Sequence, residues 1–252
     1  MKDLSIDLNA DLGEGAGHDR ELLALVTSAN IACGFHAGDA ESMRETIGAA
    51  ARHGVAIGAH PSFFDRENFG RKELPATPAE VFQAVTYQLG VLQAVAEAAG
   101  QRVVHVKPHG AMYNMAARDS RLAQAVAGAI VSIDPGLLLF APPASALAAA
   151  GENQGLRVAR EVFADRNYLA SGALVPRDRP DAIAKDPEAA AARVLRMLRD
   201  GRVQSVEGAD VEVSAQTICV HRDTPGAVDF ARILRSRLEC EGVTIQAPGP
   251  GV

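Results

Sequence analysis

Asp11, His36, His60, His109 and His221 each end a short apolar stretch of this chain. Side chains alternate faces along an extended segment. Over Ile6–Asp11, Asp7, Asn9 and Asp11 therefore share one face, and Ile6, Leu8 and Ala10 share the other. Over Val104–His109, His105, Lys107 and His109 align against Val104 and Val106. Near the end of the chain, Thr217, Cys219 and His221 align and continue to Asp223. A parallel strand buried on both faces reads as nearly all apolar. Polar stripes on three such segments predict a water-accessible lumen or mouth that they line. Neutral imidazoles with a carboxylate can hold a divalent metal and leave positions open. Asp11, His60 and His109 make such a set, and a metal there would polarise a carbonyl and acidify a bound water. Without a metal, a His or Asp would act on water as general base. Lys107 would stabilise an oxyanion or bind phosphate; the alternative is a buried ion pair with Asp7 or Asp11. There is no His-Glu-x-x-His, so the ligands rest on strand-end positions alone. His18 and His53 lie off these ends and are expected in solvent. Cys33 and Cys219 read as small core residues in strand interiors.

These groups need strands to carry them. Seven segments read as strands: Leu4–Asp11, Ala29–His36, Val55–His60, Val103–His109, Leu137–Ala141, Arg157–Ala164 and Gln216–His221. Helical patterns separate most of them, which implies parallel strands with crossover helices. Thr77-Pro78-Ala79-Glu80 carries an N-cap, a Pro at the first helical position and a Glu placed for a capping box. Val81, Phe82, Val85, Leu89 and Leu92 follow at helical spacing. Asp186-Pro187 and Thr224-Pro225 open two further helices, and Asp39 and Asp119 are expected N-caps after the second and fourth strands. Tyr168–Ala184, with Gly172, Pro176 and Pro180, reads as a long loop. Both a closed barrel and an open doubly wound sheet fit this pattern, the barrel being the first choice. Residues 1–252 read as a single domain, with 248–252 as a flexible tail.

The composition narrows the function. Lys plus Arg number 25 against 31 Asp plus Glu, a formal charge of −6, with no basic block. That argues against nucleic acid as a partner. So does the scarcity of stacking surfaces, with no Trp, 3 Tyr and 8 Phe. Three Cys are too few and too odd for a disulfide framework, so a reducing cytoplasm is expected. No apolar run approaches the roughly 20 residues of a membrane span. Lys2 and Asp3 lead straight into a strand-like segment, where a signal peptide would need an apolar core. No Walker phosphate loop, no dinucleotide fingerprint and no Gly-x-Ser-x-Gly elbow occurs. Gly13-Glu14-Gly15-Ala16-Gly17 follows the first strand and reads as a flexible loop, though such a backbone can approach a phosphate.

Longer blocks are recognisable. Ile6 to Gly15 (Ile-Asp-Leu-Asn-Ala-Asp-Leu-Gly-Glu-Gly) resembles the N-terminal signature of the LamB/YcsF family of 5-oxoprolinase A subunits. Ser28 to Asp39, Gly58 to Ser62 with Phe69-Gly70-Arg71, and Val106 to Asn114 resemble its next three blocks. Glu161 to Tyr168, Leu174 to Arg177, and Cys219-Val220-His221 with Asp223-Thr224-Pro225 complete the series in order. The departures are Arg222 where the family usually has Gly, and milder changes at Phe64, Lys72 and Met112.

The resemblance implies an α/β fold, a seven-stranded parallel (β/α) barrel of the glycoside hydrolase/deacetylase-like kind. It implies ATP-dependent opening of 5-oxo-L-proline to L-glutamate, with ADP and phosphate released, in a complex with subunits B and C. The missing Walker loop then assigns part of the nucleotide site to those partners. On this reading Asp11, His60, His109 and Lys107 are catalytic, with Asp11, His60 and His109 as metal ligands. Asp7, Asn9, His36, Arg71, Asn114, Asp165, Arg166 and His221 would contact substrate or phosphate. ATP is the co-substrate, with a divalent metal as a further cofactor, and neither nucleic acid nor membrane is a partner. Two other classes stay open: a stand-alone metal-dependent amidohydrolase or deacetylase, and a non-catalytic ligand-binding subunit.

Overall fold

The computed structural model describes residues 4–15, 17–184, 186–220 and 226–249. The chain runs β1 (Ser5–Leu12), α1 (Asp19–Leu23), β2 (Ser28–Ala32), α2 (Ala40–His53), β3 (Ala56–His60) and α3 (Pro78–Ala98). It continues through β4 (Val103–Val106), α4 (Gly110–Arg118), α5 (Ser120–Ile133), β5 (Leu138–Ala141), α6 (Ala146–Asn153) and β6 (Arg157–Phe163). It ends with α7 (Pro187–Asp200), β7 (Arg202–Gln204), β8 (Asp210–Glu212), β9 (Thr217–Val220), α8 (Ala227–Cys240) and β10 (Thr244–Ile245).

Seven strands close on themselves in the order β1-β2-β3-β4-β5-β6-β9, every neighbour parallel. Closure comes from β1 against β9, with Asp7 opposite Thr217 and Ala10 opposite Val220. The barrel is thus the form adopted, and the open sheet is excluded. β10 adds to the start of β1, pairing Ser5 with Thr244, and β7 and β8 form a separate antiparallel hairpin. These three short strands were not legible in the apolar pattern.

The alternation on β1 sorts as expected. Ile6, Leu8, Ala10 and Leu12 face the helices and join the main core, while Asp7, Asn9 and Asp11 are buried on the other face. The helices present Met43 and Ile47 from α2, Val85, Leu89 and Leu92 from α3, and Val126 and Ile130 from α5 to that core. Each such aliphatic side chain contributes about 1.5–3 kcal/mol by leaving water. Inside the barrel, Leu138, Phe140 and Ala159 form a small separate apolar cluster, and Phe163 lies beside the Lys107 ammonium. Much of the remaining lumen is polar or charged.

Helix starts follow the sequence signals. Asp39 and Thr77 each close a capping box, with Ser42 and Glu80. Asp119 caps α5 and Asp186 caps α7. Between β4 and α5, however, α4 begins directly at Gly110, with His109 at its N-cap position, so the fourth crossover holds two helices. Several strands also stop early. β2 ends at Ala32 and leaves His36 in the following loop, and β4 ends at Val106, three residues before His109. Cys33 likewise falls just past β2. The Tyr168–Ala184 segment is a loop tied by isolated bridges of Tyr168 with Leu174 and Arg166 with Ile183. At the start of the expected tail, the Gly249 carbonyl accepts a hydrogen bond from Arg157. Thr224-Pro225, Arg222 and residues 250–252 lie outside the described residues.

Candidate active site

The lumen holds two connected layers. The lower one centres on Lys107. Its ammonium lies 2.9 Å from Glu161 Oε1, 3.0 Å from Asp11 Oδ1 and 3.0 Å from Cys219 Sγ. Glu161 is fixed in turn, since Tyr113 donates to its Oε2 at 2.6 Å and Asn9 Nδ2 to its Oε1 at 3.0 Å. Asn30 donates to Asn9 and Asp11 and accepts from His105 at 2.9 Å. Burial alone would depress Lys107, but Asp11, Cys219 and Glu161 hold it well above its ordinary value. Lys107 is thus a cation near neutral pH. Burial raises the Cys219 thiol far up against the pull of Lys107, so that contact is an N–H···S hydrogen bond. Burial and Glu161 push Tyr113 well up, keeping it a donor. His105 falls to about 3 through burial and then the charges of Lys107 and His60, so it is neutral and donates Nε2–H to Asn30.

The upper layer gathers three histidines and a glutamate at the C-terminal ends of the strands. There, barrel folds build their sites. His60 comes from the end of β3, His36 from the β2–α2 loop, His109 from the start of α4, and Glu14 from the β1–α1 loop. One ligand-type atom from each lies within 4.8 Å of the others. His36 Nε2 is 2.9 Å from Glu14 Oε1, and its ring stacks on His109 with centroids 3.9 Å apart. Asp11 bridges the layers: while Oδ1 meets Lys107, Oδ2 stands 3.3 Å from His60 Nε2.

Hydrogen bonding assigns the tautomers. His60 Nδ1 is 2.7 Å from the Lys107 carbonyl, which only accepts, so Nδ1 carries the proton. His109 Nε2 is 2.9 Å from the Phe69 carbonyl and is protonated for the same reason. The remaining nitrogens, His60 Nε2 and His109 Nδ1, face each other at 2.9 Å. Burial, then the His60 and His36 charges, hold His109 well below its ordinary value, so it is neutral. His109 Nδ1 thus offers a lone pair toward His60 Nε2 beside the Glu14 carboxylate, a donor set that a divalent cation fits.

The loop from β3 to α3 closes over these rings. Phe69 sits at φ 56° and Gly70 at φ 63°, turning the Phe69 carbonyl onto His109. A Cβ on Gly70 would stand 2.2 Å from Ser62 Oγ and 2.9 Å from His36 Cβ, so only glycine fits. Gly58, on β3, is required by its neighbour: a Cβ there would fall 2.0 Å from His105 Nε2.

Of the residues expected from sequence, Asp11, Asn9, His36, His60, Lys107 and His109 come together here. Lys107 pairs with Asp11 and Glu161. Asp7 lies at the other end of β1, its carboxylate taken up by the hydroxyls of Thr27, Ser28 and Thr217, and burial raises it to about 6. It lines a small cavity at the barrel floor with Ser5, Gln216 and Gln246. Arg71 is exposed, its guanidinium 5.1 Å from the Phe69 ring centre, and Asn114 is exposed on α4. Asp165 is buried, and Arg166 donates to the Val175 and Ala182 carbonyls of the long loop. His221 lies outside the described residues. Cys33 is a buried thiol raised to about 12, and His18 and His53 are exposed.

Sequence reasoning did not single out Glu14, Glu161, Tyr113 or Asn30 as site residues. Glu161 had a signal, since it is the one acid in an otherwise apolar half of β6 and shares a face with Ala159 and Phe163. Glu14 stood in plain view after the first strand, masked by its glycines.

The LamB/YcsF family model matches residues 6–250. The lactam utilization protein from Thermus thermophilus is 46% identical, covering 97% of this chain and 100% of that one, with a TM-score of 0.92. A family 4 carbohydrate esterase from Streptomyces lividans superposes with a TM-score of 0.51 at 13% identity, covering 98% and 94% of the two chains. A T48 deacetylase gives 0.50 at 16% identity, covering 96% and 87%. The last two likenesses concern the fold alone. Among the described residues, no helix is long and apolar enough to cross a membrane.

Proposed function

The chain belongs to the LamB/YcsF family, and from that premise we propose that it is a hydrolase opening a cyclic amide, 5-oxo-L-proline, to L-glutamate at the expense of ATP. The observation that carries this reading is the 46% identity, over nearly the whole chain, to a protein of lactam utilization. The buried acid–histidine–lysine lumen supports it, because amide hydrolysis needs those group types.

An unstrained lactam resists water. In the proposed reaction ATP transfers its γ-phosphoryl group to the lactam oxygen, releasing ADP and leaving an electrophilic carbon. Water adds there, the C–N bond breaks as the nitrogen takes a proton, and a second water frees phosphate. Asp11 is the group placed to take a proton from water, its ionised form held by Lys107 and Asn30. Lys107, locked as a cation, faces negative charge developing on oxygen or phosphate. Arg71, exposed beside Phe69, would meet a substrate carboxylate or phosphate in this proposal. A divalent metal on the histidine cluster would supply Lewis acidity. Without a Walker loop in this chain, partner subunits B and C complete the nucleotide site in this proposal, and the complex works in the cytoplasm.

The test is reconstitution. Purified chain, partner subunits, ATP and 5-oxoproline should yield glutamate, and omitting this chain or ATP should abolish it. Equal glutamate formation by a folded His109→Ala chain would overturn the reading.

A further inference from the structure

Three features of the upper layer point the same way. His60 Nε2 and His109 Nδ1 face each other at 2.9 Å, a spacing at which two imidazole nitrogens need a cation or a shared proton between them. Glu14 Oε1, on a side chain only 4% exposed, lies 2.9 Å from His36 Nε2, 3.5 Å from His109 Nδ1 and 3.9 Å from His60 Nε2. In addition, the Lys107 and Phe69 carbonyls hold the outer ring protons of His60 and His109, so the other nitrogen of each ring is turned inward toward Glu14.

We propose that Glu14, His36, His60 and His109 are the ligands of one late first-row divalent cation, zinc or cobalt in preference to magnesium, and that Asp11 stands outside the ligand set. Three imidazoles and one carboxylate suit zinc-type ions; magnesium prefers all-oxygen surroundings. Bonds of about 2.0–2.2 Å place ligand atoms roughly 3–3.5 Å apart, so the 2.9 Å and 3.5 Å pairs already fit and the wider ones, up to 4.8 Å, would draw in on binding. The two backbone carbonyls serve as outer partners, fixing each tautomer so that the correct nitrogen points inward. Asp11 Oδ1 is committed to Lys107 and Asn30, and although Oδ2 stands 3.3 Å from His60 Nε2, Asp11 is not among the four residues whose ligand atoms gather within 4.8 Å of one another. This replaces the set of Asp11, His60 and His109 expected from sequence.

The inference deepens the cofactor part of the function proposed above, but its test measures metal and not turnover, so either can fail alone. Full-length chain is stripped with chelator and offered Zn²⁺, Co²⁺, Mn²⁺ or Mg²⁺ separately. Metal is counted by elemental mass spectrometry, and affinity is measured by competition with a chromophoric chelator. One zinc or cobalt per chain is expected, with a visible cobalt spectrum of nitrogen–oxygen coordination. Glu14→Gln and His36→Gln should weaken binding more than about tenfold, and Asp11→Asn should keep full stoichiometry. Glu14 sits in a loop outside the barrel wall, so Glu14→Gln decides the question even if a histidine variant misfolds. No stoichiometric metal in folded wild-type chain, a preference for magnesium, or loss of metal in Asp11→Asn with retention in Glu14→Gln would each overturn the proposal.

Discussion

Lys107 and Glu161 form an ion pair of 2.9 Å sealed inside the barrel, the lysine just past β4 and the glutamate on β6. The lysine answers two carboxylates, so the two partners are not equivalent. Lys107→Met removes the cation that Asp11 and Glu161 share and should cost about 3–5 kcal/mol. Glu161→Gln still accepts from Lys107 and leaves the Lys107–Asp11 pair neutral, so its cost should be nearer about 1–2 kcal/mol. Urea denaturation of both variants measures the asymmetry; equal losses would contradict it.

Gly58→Ala should be among the most damaging single-methyl additions in the wall. Its Cβ would occupy the place of the His105 ring and break the bond to Asn30. A loss of about 3 kcal/mol or more is expected. Adding His105→Ala should recover part of it, and a double-mutant cycle reads the coupling.

Gly70→Ala should disturb both the histidines and the local fold. The added methyl meets His36 and comes within 3.0 Å of His109 Cδ2, at a backbone angle that disfavours alanine. Metal affinity should fall more than about tenfold and the unfolding midpoint should drop as well, as checked by chelator competition beside thermal melting.

Asp7 makes stability fall as pH rises. Its carboxyl ionises at 3.8 when unfolded and at about 6 when folded, because burial outweighs three hydroxyl hydrogen bonds. Below pH ~4 both states are protonated and no penalty exists; between about 4 and 6 the unfolded chain ionises first and gains. Asp7→Asn should therefore be more stable than wild type at pH 7.5, by up to about 3 kcal/mol, with the advantage shrinking toward pH 4.5. Denaturation curves at the two pH values test it, and an advantage that grows toward acid would refute the assignment.

The barrel strands and the polar faces of β1 and β4 were legible because alternation is a local property. So were Asp39, Thr77, Asp119 and Asp186, whose caps act within three residues. The inner role of Glu161 was not, because only barrel closure brings β6 opposite β1 and places one acid against Lys107. The same holds for Glu14, whose partners His36, His60 and His109 come from three other segments. Asp7 shows the converse. Its face was read correctly, but its depth along the strand puts it at the floor and not the mouth.

The closing pair of strands sets a condition on how the molecule is made. Thr217 gives its hydroxyl proton to Asp7 and accepts from Asn9, 210 and 208 positions earlier in the chain. A nascent chain therefore carries an incompletely bonded β1 until Thr217, 210 positions after Asp7, has emerged. Half a barrel is no stepping stone here, since its inner wall is charged and completes its partners only on closure. Folding should be all-or-none and slow, set by the search of β1 and β9 for each other. A break in either end strand should leave the rest of the chain for chaperones to hold.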